Sequence, residues 1–136
     1  MMYNYINMNI LGIDYGGKYV GLAMADSDLK IAMPDQVIEY KDKIFLFSKL
    51  KEIIKKQEIS NIVVGQPVGL KGEDTLQTKI INQFINDLKK EIKISVIGFD
   101  ERLTSKMADK LLEGRGPNHA VVAQIILQDY LDCLTK

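Results

Sequence analysis

The order of hydrophobic periods along the 136 residues narrows the fold more than any other feature. Three short β-prone runs come first, and an alternation of helical and strand-like segments follows. Ile10 to Tyr15 and Tyr19 to Ala25 are compact apolar runs separated by Gly16, Gly17 and Lys18. A Gly-Gly pair supplies the positive φ angles that a tight hairpin needs, so the two runs should pair antiparallel. After a turn at Asp26 to Asp28, Gln36 to Tyr40 alternates as a third, half-buried strand would.

The period then changes. From Lys43 to Gln57, Leu46, Leu50, Ile53 and Ile54 recur at helical spacing, and Asn61 to Gly65 is an Ile-Val-Val run of buried-strand type. Asp74 and Gln77 match a capping box, with Leu76, Ile80, Phe84 and Leu88 repeating every fourth residue behind it, which predicts a second helix to about Glu91. Lys93 to Gly98 predicts another strand and Thr104 to Glu113 a third helix. Beyond the breaker Gly114-Arg115-Gly116-Pro117, Asn118 to about Leu134 predicts the last helix. The order βββαβαβαα calls for an α/β fold with a mixed five-stranded sheet flanked by helices. Its first three strands form an antiparallel meander, and two parallel strands join through right-handed crossovers. No repeat, low-complexity tract or linker interrupts the pattern, so residues 1–136 read as a single domain.

Composition limits what such a domain can do. With 46% apolar and 26% charged residues the chain can bury a core. Lysine plus arginine and aspartate plus glutamate both number 18, so no overall basic field draws in nucleic acid, and any site for it must be a local patch. One cysteine, Cys133, excludes an internal disulfide and fits a reducing compartment. The N-terminal run lacks a basic region followed by a long apolar one, and eighteen uninterrupted apolar residues occur nowhere. These features predict a cytoplasmic protein with no membrane partner.

Ligands of open α/β sheets tend to bind beyond the carboxyl ends of parallel strands, which directs attention to the loops there. Asp14 is an acid in an otherwise apolar strand, costly to bury unless it is paired or holds a metal. Locally it could equally accept backbone hydrogen bonds from the Gly16-Gly17 turn. Asp100-Glu101-Arg102 follows the strand ending at Gly98 and so belongs at the same sheet end; Glu101 could ligate a metal and Arg102 a phosphate, or the two could form a surface ion pair. The loop Gly65 to Gly72 holds three glycines and Lys71 but lacks the Gly-Lys-Ser/Thr ending of a phosphate-binding Walker loop. His119, the single histidine, falls in the first turn of the last helix just after the predicted N-cap, Asn118, where it could bind a metal, take a proton or merely cap the surface.

Taken together, these segments resemble the YqgF (RuvX) family of RNase H-like nucleases, relatives of the RuvC resolvase, from about Met8 to Asp132. Ile10-Leu11-Gly12-Ile13-Asp14-Tyr15-Gly16 with Gly21-Leu22-Ala23 is similar to the family's first hairpin. Ile62-Val63-Val64-Gly65-Gln66-Pro67, with Gly72 and Gln77, is similar to its middle strand and loop. Asp100-Glu101-Arg102-Leu103-Thr104-Ser105 and Ile126-Leu127-Gln128-Asp129-Tyr130-Leu131 match its remaining motifs. Asp-x-Gly alone also occurs in actin-like kinases; four motifs in order are specific.

The resemblance implies a bacterial cytoplasmic nuclease that trims the 5' end of pre-16S ribosomal RNA, with Holliday-junction resolution as the alternative. It implies a divalent metal, Mg²⁺ or Mn²⁺, held by Asp14, Glu101 and a third group from the last helix. Where the family usually carries an aspartate, this sequence has His119, which should favour Mn²⁺ relative to hard Mg²⁺. Lys18, Lys71, Arg102 and Arg115 are then candidate phosphate contacts. A non-catalytic module that binds RNA, or a ribosome-assembly or transcription partner, is the competing implication of the missing acid. The protein is expected as a monomer or homodimer.

Overall fold

Five strands form one sheet in the order β3-β2-β1-β4-β5 in a computed structural model, which describes residues 9–26, 28, 30–67, 75–101 and 118–134. β1 (Asn9–Tyr15), β2 (Tyr19–Asp26) and β3 (Ile31–Glu39) make the antiparallel meander. α1 (Lys43–Lys56) leads to β4 (Ile59–Pro67), which pairs parallel with β1. α2 (Leu76–Glu91) leads to β5 (Ser95–Glu101), parallel to β4, and α3 (His119–Leu134) closes the chain. The mixed five-stranded sheet is the one the order of periods predicts. The predicted helix from Thr104 to Glu113 lies outside the described residues.

Alternation along β1 divides the core into two layers. Leu11, Ile13 and Tyr15 pack on the side of α1 and α2, with Leu46, Leu50, Phe84 and Leu88 fully buried against them. Ile10 faces the other way, toward α3, in a cluster with Ala23, Ala25, Ala32, Val63, Ala123, Ile126 and Leu127. Each fully buried Leu, Ile or Phe contributes about 1.5–3 kcal/mol, so both layers hold the sheet.

The α3 side is built for close approach. A Cβ added to Gly12 would lie 2.8 Å from Leu127 Cβ and 3.1 Å from the Ala123 carbonyl oxygen. One added to Gly21 would fall inside the backbone of His119 and Ala120. Small residues on β1 and β2 thus form a trough that seats the helix backbone directly on the sheet. At the far edge, Gln124 Nε2 donates to the Ala32 carbonyl at 3.0 Å, and Gln128 Oε1 accepts from the Ala32 N–H at 2.9 Å. Two side chains of α3 thereby satisfy the outward backbone groups of Ala32 on edge strand β3.

Several predicted boundaries and faces need correction. The third strand begins at Ile31 rather than Gln36, because a bulge opposite Leu22 and Ala23 absorbs Asp35 and breaks the alternation that periodicity follows. Pro34 is tolerated there as an edge-strand residue. β4 and β5 outrun their apolar cores: the ladder continues through Gln66↔Asp100 and Pro67↔Glu101, so Asp100 and Glu101 are in the strand and not after it. α2 is capped by Thr75, whose hydroxyl accepts from Thr78 N at 3.1 Å, in place of the predicted Asp74–Gln77 box; Asp74 lies outside the described residues. Its buried residues are Thr78, Ile81, Phe84, Ile85 and Leu88, while Leu76 and Ile80 are exposed. A strict four-residue repeat drifts around a helix of 3.6 residues per turn, so Leu76 and Leu88 cannot share one face.

Gly21→Ala should lower the melting temperature by roughly 5–10 °C, the effect expected of an overpacking strain of about 1–3 kcal/mol. Thermal denaturation followed by circular dichroism measures it, and a variant melting with the wild type would show that α3 does not press on β2 as described.

Candidate active site

β1 and β4 lie side by side and parallel, but their connections diverge. β1 turns back into β2 on one side, and β4 leads through α2 to β5 on the other. Such a switch point opens a crevice at the carboxyl ends of the strands. Asp14, the penultimate residue of β1, stands there, opposite Gly21 of β2 and on the α3 side of the sheet.

The flanking residues fix Asp14 from behind. Tyr15 is buried on the other face and stacks on Phe84, with ring centroids 3.9 Å apart and planes 9° from parallel. Past it, the Tyr40 hydroxyl donates to the Gly16 carbonyl at 2.6 Å, and Tyr40 N–H donates to the Lys18 carbonyl at 3.1 Å. Burial, and then the neighbouring Tyr15, push the Tyr40 phenol well above the ordinary tyrosine range, keeping it a donor. The β1–β2 hairpin turn is therefore tied to the chain just past the end of β3.

His119 comes from the opposite direction. Asn118 caps α3, its Oδ1 accepting from Ala120 N at 3.0 Å and Val121 N at 3.3 Å, as the sequence predicts. The first turn rests on Gly21, which brings His119 Nδ1 to 3.0 Å from Asp14 Oδ2. Burial raises the Asp14 carboxyl above its usual range, and the hydrogen bond and charge of His119 only partly offset that effect. When Asp14 is ionised, Nδ1 must carry the hydrogen of this bond; in the neutral ring Nε2 is then the lone-pair nitrogen.

The predicted site residues divide accordingly. Asp14 and His119 meet, 105 positions apart in sequence. The predicted alternative for Asp14, capping the Gly16-Gly17 turn, gives way to this contact. Glu101 ends β5 opposite Pro67, at the same end of the sheet, and its side chain lies outside the described residues. Lys18 is exposed in the hairpin turn, 3.9 Å from Glu39 across an exposed pair. Lys71, Arg102 and Arg115 lie outside the described residues. Among the described residues no group of three His, Cys, Asp or Glu side chains could hold a metal, and of the three predicted ligands the described side chains bring together Asp14 and His119.

Two contributors escape residue-by-residue reading. Gly21 admits His119, and the signal for it was a glycine inside a β-prone run, which marks a close backbone approach. Tyr19 stacks on the His119 ring, with centroids 5.9 Å apart and planes 26° from parallel, and no sequence pattern pairs those positions.

Comparison with known proteins places this geometry. A model of the RuvX family, described as Holliday junction resolvase, matches residues 8–133. A relative from Rickettsia africae is 35% identical over 136 residues, covering 94% of this chain and 88% of its own. One from Rickettsia felis is 36% identical over 139 residues, covering 96% and 90%, and one from Maridesulfovibrio salexigens is 39% identical over 109 residues, covering 80% and 81%. All three are named as candidate pre-16S rRNA nucleases. Among solved structures, Thermus thermophilus RuvC in complex with a Holliday junction substrate superposes with a TM-score of 0.61 at 16% identity, covering 95% of this chain and 96% of that one. Fowlpox virus resolvase with Holliday junction DNA gives 0.58 at 14%, covering 95% and 100%. At these identities the likeness shows the fold, which is RNase H-like, as predicted.

The raised Asp14 carboxyl fixes the sign of a stability effect. An acid whose folded pKa lies above its unfolded value costs stability as pH rises from the unfolded value, 3.8, through the folded one, and that cost persists at neutral pH. In EDTA at pH 7, Asp14→Asn should therefore melt no lower than the wild type, with its relative advantage shrinking toward pH 4. Melting curves at the two pH values test this, and a variant clearly less stable at pH 7 would contradict the burial cost assigned to Asp14.

Proposed function

This chain belongs to the RuvX family, and on that premise we propose that it is a metal-dependent nuclease that cleaves precursor 16S ribosomal RNA near its 5' end in the bacterial cytoplasm. The single observation that carries the proposal is the meeting of Asp14 Oδ2 and His119 Nδ1, 3.0 Å apart, at the point where the strand connections diverge. The names of the curated relatives favour RNA. Branched DNA is the second reading, favoured by the family description and by the junction-bound resolvases that share the fold.

The donors fit a divalent cation. The Asp14 carboxylate remains costly to ionise even with His119 beside it, so its charge is not fully compensated by protein groups. Glu101 is the last residue of β5, at the sheet end where Asp14 lies. One carboxylate from β1, one from the end of β5 and an imidazole from α3 form a mixed oxygen and nitrogen set suited to Mg²⁺ or, more readily, Mn²⁺. A cation held there would supply Lewis-acid activation of water and stabilisation of the leaving oxygen.

The remaining work falls to the chain itself. Asp14 anchors the set and orients His119 through Nδ1, which leaves Nε2 to complete the site as a donor or to accept a proton. Lys18, Lys71, Arg102 and Arg115 position the phosphate backbone without reading sequence. Because the net charge is zero, these local cations, and not a protein-wide field, must hold the substrate.

Purified protein incubated with a precursor RNA and Mg²⁺ or Mn²⁺ should cut it. Loss of a group that merely supports a metal ligand costs about 10–100-fold, so Asp14→Asn, which alters a ligand itself, should cost at least roughly a hundredfold. Cleavage unchanged in that variant removes Asp14 from the site, and RNA binding without cleavage under either metal favours a non-catalytic module. His119→Asp should raise the ratio of activity in Mg²⁺ to activity in Mn²⁺, because a third carboxylate is a harder donor. An unaltered ratio would place His119 outside the metal site.

A further inference from the structure

We propose that the ring of Tyr19, with the ammonium of Lys18, forms a stacking platform for one unpaired nucleobase beside the candidate active site. The inference rests on the nuclease reading for its substrate class and goes beyond it by assigning a base-binding subsite.

Tyr19 opens β2, two residues before Gly21, and so shares the face of the sheet on which Asp14 meets His119. Asp14 pairs with Gly21, which puts Tyr19 two positions further toward the end of the sheet, at the mouth of the crevice. A strand reaching Asp14 from that end passes over this ring. Unlike Tyr15 and Tyr40, which are buried behind the site, Tyr19 is 37% exposed. Its ring is braced by the near-parallel imidazole of His119, a support that fixes its plane.

The second component is the cation. Lys18 Nζ lies 5.5 Å from the centroid of the Tyr19 ring. Among the described residues its ionic partner is Glu39 at 3.9 Å, where both side chains are about two-thirds exposed, and an exposed pair of this kind contributes little. The ammonium is therefore free to leave the ring for a phosphate while a base takes its place on the aromatic face. An aromatic ring next to a mobile lysine is the combination that single strands use, since every base has a π-face and every nucleotide a charge. The chain's zero net charge leaves no broad basic field, so a strand is held by short-range contacts, and stacking on Tyr19 adds one to those of the local cations. A base paired within a duplex cannot reach the ring, so the platform selects unpaired or frayed nucleic acid.

The test uses the full chain in the Asp14→Asn background in EDTA, so that the strand is not cut, with a short single-stranded RNA and its duplex as probes. Tyr19→Ala and Tyr19→Leu should each weaken single-strand binding by about tenfold or more, as loss of one stacked base does, while Tyr19→Phe keeps it and duplex binding changes less than twofold. The chain has no tryptophan, so Tyr19→Trp introduces a single indole whose fluorescence should be quenched by the single strand and not by the duplex. Lys18→Ala should reduce the salt dependence of single-strand binding. Affinity for the single strand unchanged in Tyr19→Leu overturns the proposal, as does an equal loss for single strand and duplex, which would indicate a general disturbance of the site. The nuclease reading fails separately: Tyr19-dependent binding by a wild type that cuts nothing leaves the platform standing, and cutting with Tyr19-independent binding removes the platform alone. A wild type that binds no nucleic acid overturns both.

Discussion

The missing side chain at Gly21 is the constraint on which the site depends. Any β-carbon there would occupy the space taken by the backbone of His119 and Ala120, so the helix could not lie against β2 at its present height. Because Gly21 is the cross-strand partner of Asp14, the same gap that admits the helix sets its first turn directly over the carboxylate. Gly12, Ala23 and Ala25 continue the trough and Gln124 and Gln128 grip the far strand, so α3 is located by close approach to small residues of the sheet together with its buried Ile126 and Leu127. Such packing tolerates little change in volume, and it transmits the position of the sheet to His119 with little slack.

The opposite face of the sheet does a different job. Ile13 and Tyr15 bracket Asp14 in sequence and point into a dense aromatic and aliphatic layer, in which Tyr15, Phe84 and Phe47 stack in series. Burying those neighbours pins the backbone of Asp14 from below while its own side chain faces the crevice. The burial penalty on the carboxylate is thus imposed by the fold, and the hydrogen bond from His119 reduces it without cancelling it. Stability given up at one residue in this way is common where a charge is kept ready for a ligand.

Much of the fold was legible because the periods of the core are strong. The β1 and β2 runs, the buried Ile62-Val63-Val64 segment and the Leu46–Leu50 face stand where apolar spacing puts them. What failed were features set by partners and not by local pattern. β5 continues to Glu101 because β4 offers it a ladder, although neither strand residue after Phe99 is apolar. The first half of β3 is held by β2 and by glutamines of α3, and Pro34 and Asp35 hide it from any alternation rule. On α2 the regular Leu76-Ile80 spacing proved less informative than the geometry of the turn, which buries Ile81 and Ile85 instead.

The site was legible to a different degree. Asp14 could be singled out because a charge within an apolar strand needs an explanation, yet local sequence offered two, and only the contact across 105 positions distinguishes them. His119 carried almost no signal by itself; its significance comes from Asn118 starting the helix at the one register that sets the first turn over Gly21. Tyr19 carried none, since its neighbour in space is fixed by the same docking. A chemical group that is costly where it stands can be read from sequence, whereas one that is useful because of what lies beside it requires the fold. The two meet here in a single residue pair, with the costly carboxylate supplied by the strand and its hydrogen-bond partner supplied by the helix.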